Sequence, residues 1–282
     1  MEAGGVARAR GRAAEPRGAA GGALDAGPEP ASPNFERFRA IIRRVLSRDD
    51  EQPSLVTEIA CIIGAEILDG IQCPGCDLNS VELARRFRTS RTPTREALVI
   101  LEKEGLVEIP PRRRPRVADH GRAEIQEIYR VRATMLGLVA TEAAEHATAA
   151  ELAELRDIVT RMQEAAASGD RDGYYWGNVR FHERFSELSR NRTLLRLLNS
   201  LVLRSLRFRR RTLSNPERLQ RSIADHSRLV SALEDRDLEL ASALARANVL
   251  GALRALEAML DEEARAQGER GARTPRRPVS RG

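Results

Sequence analysis

Ser90-Arg91-Thr92-Pro93, with Arg95 two residues on, puts two permanent cations and three hydroxyls (Ser90, Thr92 and Thr94) within six positions. Serine is a favoured helix N-cap, and proline is tolerated in a first turn because that N–H has no helical partner. From Pro93 onward Ala97, Leu98, Leu101 and Leu106 recur at helical spacing, which leaves Arg91, Thr92 and Arg95 on the opposite side. Guanidinium groups lifted off an apolar floor at a helix start can reach phosphates and base edges in a duplex. A second basic run, Arg112, Arg113, Arg114 and Arg116, follows in a proline-rich loop. This is chemistry for holding a polyanion, not for making bonds. The plainer reading is a helical hairpin with a solvated charged face.

A second constellation lies further along. Asn178 and His182 are four apart and share a helix face. His226 sits among Ile223, Leu229, Val230 and Leu233, and Asn248 lies between Leu244 and Leu250. Arg132 stands among Ile128, Val131 and Met135. Imidazoles and amides turned inward from separate helices suit either a hydrogen-bonded core or a small-ligand site, and both readings stand. Cys73-Pro74-Gly75-Cys76 admits three: a structural turn, a redox-sensing disulfide, or half of a metal site that has no second ligand pair nearby. A metal-dependent enzyme built on His182 and His226 would lack a third strong ligand and a general base, so the chain is not expected to be an enzyme.

The positioning elements follow from composition and periodicity. Few aromatics and much alanine and leucine favour a mostly α protein, and 282 residues suffice for two modest domains. Between Arg85 and Arg116 ten basic side chains face four acidic ones, an excess equal to the whole chain's net +6. The clustering implies a polyanionic partner. Single arginines count for little, because Lys103 is the only lysine and arginine is this chain's default cation. No apolar run is long enough to span a bilayer, and the N-terminus lacks the apolar core of a signal peptide. With three cysteines and no secretion signal, a cytoplasmic protein without membrane contact is expected.

The expected organisation is a disordered basic arm at 1–51, with a short amphipathic helix at 34–47. A DNA-binding domain at 52–118 follows, then a linker at 119–122. A six-helix antiparallel bundle at 123–264 precedes a disordered basic tail at 265–282. Within the DNA-binding domain, helices are expected at 55–68, 81–87 and 92–104, and wing strands at 107–109 and 116–117. On the first bundle helix Ile125, Ile128, Val131, Met135, Leu138 and Val139 are expected on one buried face.

Ser90-Arg91-Thr92-Pro93-Thr94-Arg95-Glu96-Ala97-Leu98 and Leu101-Glu102-Lys103-Glu104-Gly105-Leu106-Val107 resemble the winged helix-turn-helix of GntR-type transcription regulators, S-R-T-P-V-R-E-A-L running to L-E-x-E-G-L-V. Three positions depart from that pattern. Arg88 stands where the turn carries glycine, Thr94 replaces valine, and Arg114 occupies the glycine position of the wing. The later helices resemble the FCD effector domain of the same regulators. There D-x-x-F-H, E-H and a histidine after G-D surround a divalent metal such as zinc, and an arginine helps bind a small carboxylate. This chain has Asn178-Val179-Arg180-Phe181-His182, Asp225-His226 and Asp237 through Asn248, with Arg132 at the arginine position and Leu136 where glutamate is common.

The resemblance implies a metal at His182, His226, Asn178 and Asn248. Replacing Asp and His by two asparagines leaves weaker, uncharged donors. A polar pocket in which Arg132, Asn178, His182, His226 and Asn248 hydrogen-bond an effector directly is the preferred reading. A degenerate, ligand-free pocket is the alternative. The resemblance further implies a homodimeric, effector-responsive repressor on a pseudo-palindromic operator in double-stranded DNA. Ser90, Arg91, Thr92, Arg95, Arg112, Arg113, Arg114 and Arg116 would make the DNA contacts. A nonspecific architectural DNA-binder is the runner-up.

Overall fold

The computed structural model describes residues 32, 34–46 and 54–273. Most of the expected arm and the end of the expected tail lie outside the described residues. Ten helices and one two-stranded sheet make up the described chain, and no described helix is long and apolar enough to cross a membrane.

The N-terminal part contains α1 (Phe35–Leu46), α2 (Leu55–Asp69), α3 (Ser80–Arg86) and α4 (Arg91–Lys103). Strands β1 (Val107–Glu108) and β2 (Arg116–Val117) then pair antiparallel, Val107 opposite Val117. Ser54 caps α2 by accepting from the Thr57 N–H, and Asn79 caps α3 by accepting from Val81. Helix α2 is the axle of this unit, and its apolar residues from Ile59 to Leu68 are buried. Gly64 is needed there: a Cβ would stand 2.8 Å from Ile42 Cδ1 of α1 and 3.1 Å from Leu101 Cδ2 of α4.

Helix α1, expected as part of a loose arm, is instead an integral brace. Phe38 and Ile42 are buried. Phe38 packs 5.0 Å from the Trp176 ring, whose Nε1 donates to Asn34 Oδ1 at 2.5 Å. An amphipathic helix with aromatics on its apolar side needs a partner, and here it has two.

The C-terminal part is an antiparallel bundle of α5 (Arg122–His146), α6 (Ala149–Ala167), α7 (Arg171–Glu187), α8 (Arg192–Leu213), α9 (Pro216–Glu234) and α10 (Leu238–Arg273). Helix α5 lies along α10, and α6 packs on α7 and α9. Side-chain caps mark four starts: Thr148 in a full capping box, Asp170, Asn191 and Asn215, the last followed by Pro216 in the first turn. Two expectations need correction. Helix α10 runs to Arg273 rather than stopping near 264, since alanines and charged residues of high helix propensity carry it past Gly268 and Gly271. On α5, Ile125, Ile128 and Val139 are buried as expected, but Val131 and Leu138 are exposed and Tyr129, Arg132, Ala133 and Leu136 are buried in their place.

Candidate functional site

The basic surface is built on α4. Ala97, Leu98 and Leu101 are fully buried beneath it, whereas Ser90, Arg91, Thr92 and Arg95 are exposed. Ser90 holds the N-cap position with extended backbone, but its hydroxyl makes no capping hydrogen bond, contrary to the expected hydroxyl cap. Thr94 is fully buried and its Oγ1 donates to the Ser90 carbonyl at 3.4 Å, so a hydroxyl fits where valine is usual.

Arg88, in the turn before α4, has φ +50°, the left-handed region that the family's glycine serves. In the wing the left-handed residue is Arg112, at φ +62°, rather than Arg114. Arg112, Arg113, Arg114 and Arg116 are all exposed. Arg116 is engaged: its Nε and Nη2 donate to Glu108 Oε2 at 2.9 and 2.6 Å. Arg114 lies 3.9 Å from Asp77.

The Cys73–Cys76 turn backs this wing. The Gly75 N–H donates to the Val117 carbonyl, and Val117 N–H donates to that of Cys76. The two cysteines are joined in a disulfide, so turn and disulfide coexist where sequence left them as alternatives. A reducing compartment implies thiols at this pair instead. Cys61 is buried and free, its thiol pushed up to about 11 by burial.

The second constellation does converge. Asn178 and His182 on α7, His226 on α9, Asn248 on α10 and Arg132 on α5 surround a shared cavity system. His226 Nδ1 lies 2.5 Å from the Ser222 carbonyl, which assigns the proton to that nitrogen. Its Nε2 therefore accepts, and Asn178 Nδ2 is 3.4 Å away. The rings of His182 and His226 are 5.4 Å apart, nearly perpendicular. Burial pulls His226 down to about 4; burial, then Arg209 and His226, hold His182 well below the ordinary imidazole range. Both rings are neutral near pH 7.

These residues do not fit a divalent metal. His226 already turns its lone pair to an amide N–H. Asn248 Nδ2 donates to Asp225 Oδ2 at 3.1 Å, so its side chain serves the protein. No cluster of three or more His, Cys, Asp or Glu suited to a metal occurs among the described residues. Two imidazoles and two neutral amides are a poor donor set for a dication.

Two residues that sequence reasoning missed complete the site. Arg209 on α8 and Arg218 on α9 are buried and line the same cavity as Arg132. Each left a trace: Arg209 continues the stripe Leu198, Val202, Leu206, and Arg218 begins the row Arg218, Ser222, His226. An inner chamber of about 30 Å³ opens beside one of about 180 Å³, the two sharing Arg132, His182 and Arg209. Leu136, Val179, Leu198, Val202 and Leu206 give the outer chamber an apolar side; Arg44 of α1 and Glu183 stand on its wall, 2.5 Å apart.

Helix α8 joins the two sites. Arg209 faces the cavity, while Arg204 donates to the carbonyls of Lys103 and Glu104 at the end of α4, both at 3.3 Å. Arg207 donates to the Ala118 carbonyl, and Arg210 pairs with buried Asp69 of α2 at 3.1 Å.

Comparison with known proteins gives two family matches: bacterial regulatory proteins of the gntR family over residues 55–117, and the FCD domain over residues 127–251. The gluconate operon transcriptional repressor of Bacillus licheniformis is 32% identical over 192 residues, covering 65% of this chain and 78% of the relative. The HTH-type transcriptional regulator McbR of Escherichia coli K12 is 26% identical over 189 residues, covering 66% and 85%. The solved structure of E. coli McbR/YncC superimposes with TM-score 0.59 at 24% identity, over 76% of this chain and all of that one, a likeness of fold.

Proposed function

Because the chain belongs to the GntR family of transcription regulators and carries an FCD domain, we propose that it is a dimeric repressor whose operator affinity is set by a small organic anion in the bundle. It is a DNA-binding regulator and not an enzyme. Two copies of α4 would enter successive major grooves of a pseudo-palindromic operator, with Arg91 and Arg95 at bases and phosphates and Ser90 and Thr92 at phosphates. Arg112 and Arg113 would act from the wing, beside the more restrained Arg114 and Arg116. The protein would work in the cytoplasm, where the DNA is. The anion, of the carboxylate class that the Arg132 motif implies, would be held by charge-assisted hydrogen bonds.

One observation carries the reading: the exposed row Ser90, Arg91, Thr92 and Arg95 stands on a fully buried floor, at a helix whose far end is gripped by the wall of the cavity. Binding in the cavity would displace α8, and α8 would pass that displacement to the DNA-binding unit. The test is Arg95→Ala, measured by operator titration against random duplex at fixed salt. We expect a loss of about 1–3 kcal/mol on the operator with the bundle's thermal unfolding unchanged. Unaltered operator affinity would refute this placement of the recognition helix. Equal affinity of the native protein for operator and random duplex would point to an architectural binder.

A further inference from the structure

Three guanidinium groups from three helices meet at the inner chamber: Arg132 of α5, Arg209 of α8 and Arg218 of α9, with 5%, 9% and 6% of their surface exposed. One carboxylate lies within ion-pair reach of them, and Glu183 acts on Arg209 from farther off. Asp225 Oδ2 lies 3.8 Å from Arg218 Nη1 and also accepts from Asn248. The other polar groups around the chamber, including Tyr129, Asn178, His182 and Ser222, carry no charge near pH 7. Glu183 and Glu187 stand on the outer chamber, where Arg44 takes Glu183. The inner chamber therefore holds an excess of two positive charges away from water.

Such an arrangement is costly unless an anion offsets it. Several buried polar atoms there have no hydrogen-bond partner: Arg132 Nε, Arg218 Nε, Asn178 Oδ1 and His182 Nδ1, and also Arg218 Nη1, which has only its longer ion pair with Asp225. Burial, with Arg209 nearby, pulls Arg132 down to about 9, the mark of a cation short of counter-charge. The arginines also account for the metal misfit, because two of them lie outside the FCD motif and supply the positive charge that a dication otherwise brings.

Resting on the regulatory reading above, we propose that this pocket is a metal-independent site for a small organic dianion. Its doubly charged head is gripped by Arg132, Arg209 and Arg218, and its body lies in the outer chamber. The inner chamber has room for one compact head, so the two charges must sit close together, as in a phosphate monoester or a short dicarboxylate. The arginine fork suits either, since both offer paired oxygens.

The test uses the full-length protein with simple probes at matched ionic strength: inorganic phosphate at pH 8, malonate, acetate and Zn²⁺. Thermal unfolding and titration calorimetry read binding without DNA, so failure here is separable from failure of the operator assignment. Phosphate or malonate should raise Tm in a saturable way, and the tighter of the two identifies the head. Acetate should give no more than the salt background, and chelator should change nothing. Arg209→Gln and Arg218→Gln should each weaken the dianion at least tenfold. Each should leave the ligand-free protein as stable as the native one or more so, because a buried repulsion is removed. Acetate matching the dianions, no response to either dianion, stabilisation by Zn²⁺ that chelator reverses, or undiminished binding by both variants would overturn the proposal. Destabilisation of both ligand-free variants would mark the arginines as structural.

Discussion

His226 shows how one substitution redirects a site. With its proton on Nδ1 toward the Ser222 carbonyl, Nε2 needs a donor, and an asparagine at 178 supplies one where an aspartate would offer only a competing acceptor. The neutral ring is then part of the fold, which fixes its pH dependence. An unfolded histidine takes up a proton near pH 6.5, whereas folded His226 does so only near 4. Its contribution is complete above about pH 6.5 and is lost as pH falls from there toward 4. The shift corresponds to at most about 3 kcal/mol. Urea midpoints between pH 4.5 and 7 should fall with acidification in the native protein. His226→Gln should flatten that fall, leaving His182's share, which has the same sign. An identical slope in the variant would show that His226 is not the titrating group. Arg88 and Arg112 make a different residue-scale point: a left-handed non-glycine residue costs roughly 1–2 kcal/mol, and the turn and wing tip carry it.

At the scale of elements, α8 matters most. Its stripe Leu198, Val202, Leu206 and Arg209 lines the chambers, and its opposite side presents Arg204 and Arg207 to the DNA-binding unit. The last carbonyls of α4 lack helical partners, so the Arg204 guanidinium satisfies them and complements the helix dipole. Gly105 permits this approach: at φ +71°, its added Cβ would collide with that guanidinium. A rigid helix touching both sites is a physical route for coupling, and a double-mutant cycle measures it. Arg209→Gln should change operator affinity by on the order of 1 kcal/mol in the native background. With Arg204 and Arg210 both alanine, the same change should have no effect. A full effect there would mean that coupling does not pass through Arg204 or Arg210, for which Arg207 on Ala118 and the Arg44–Glu183 pair offer the other bridges.

For the whole molecule, charge is segregated rather than large. The excess lies on α3, α4 and the wing, while the bundle surface is laced with ion pairs such as Arg156–Glu234 and Arg184–Glu154. Exposed pairs of this kind add little stability but keep the bundle from competing for the polyanion. Operator affinity should therefore fall steeply with salt. Replacing Arg112 and Arg113 by alanine should reduce the slope of log K against log salt by about one for every phosphate that the two side chains neutralise, nearly uniformly across sequences. A changed base preference with an unchanged slope would instead place these side chains on base edges.

The helix-turn-helix, its wing and the six bundle helices were legible in sequence because their signals are local: apolar spacing at 3.6 residues and a long motif at Ser90. The individual polar residues of the pocket were legible too, each on its own helix. Their joint charge was not. Arg209 and Arg218 continue helix stripes, but in a chain with a single lysine that trace does not set them apart, and only packing reveals that they are dehydrated beside Arg132, with Asp225 against Arg218. The same holds for α1, whose role as a brace depends on Phe38 meeting Trp176, and for the exposure of Val131 and Leu138 on α5. Sequence by itself determined which segments coil and which unit meets DNA, because hydrogen bonding and periodicity act over a few residues. Tertiary structure alone decided the charge of the cavity and the grip of α8 on α4, because electrostatics and burial depend on neighbours far apart along the chain.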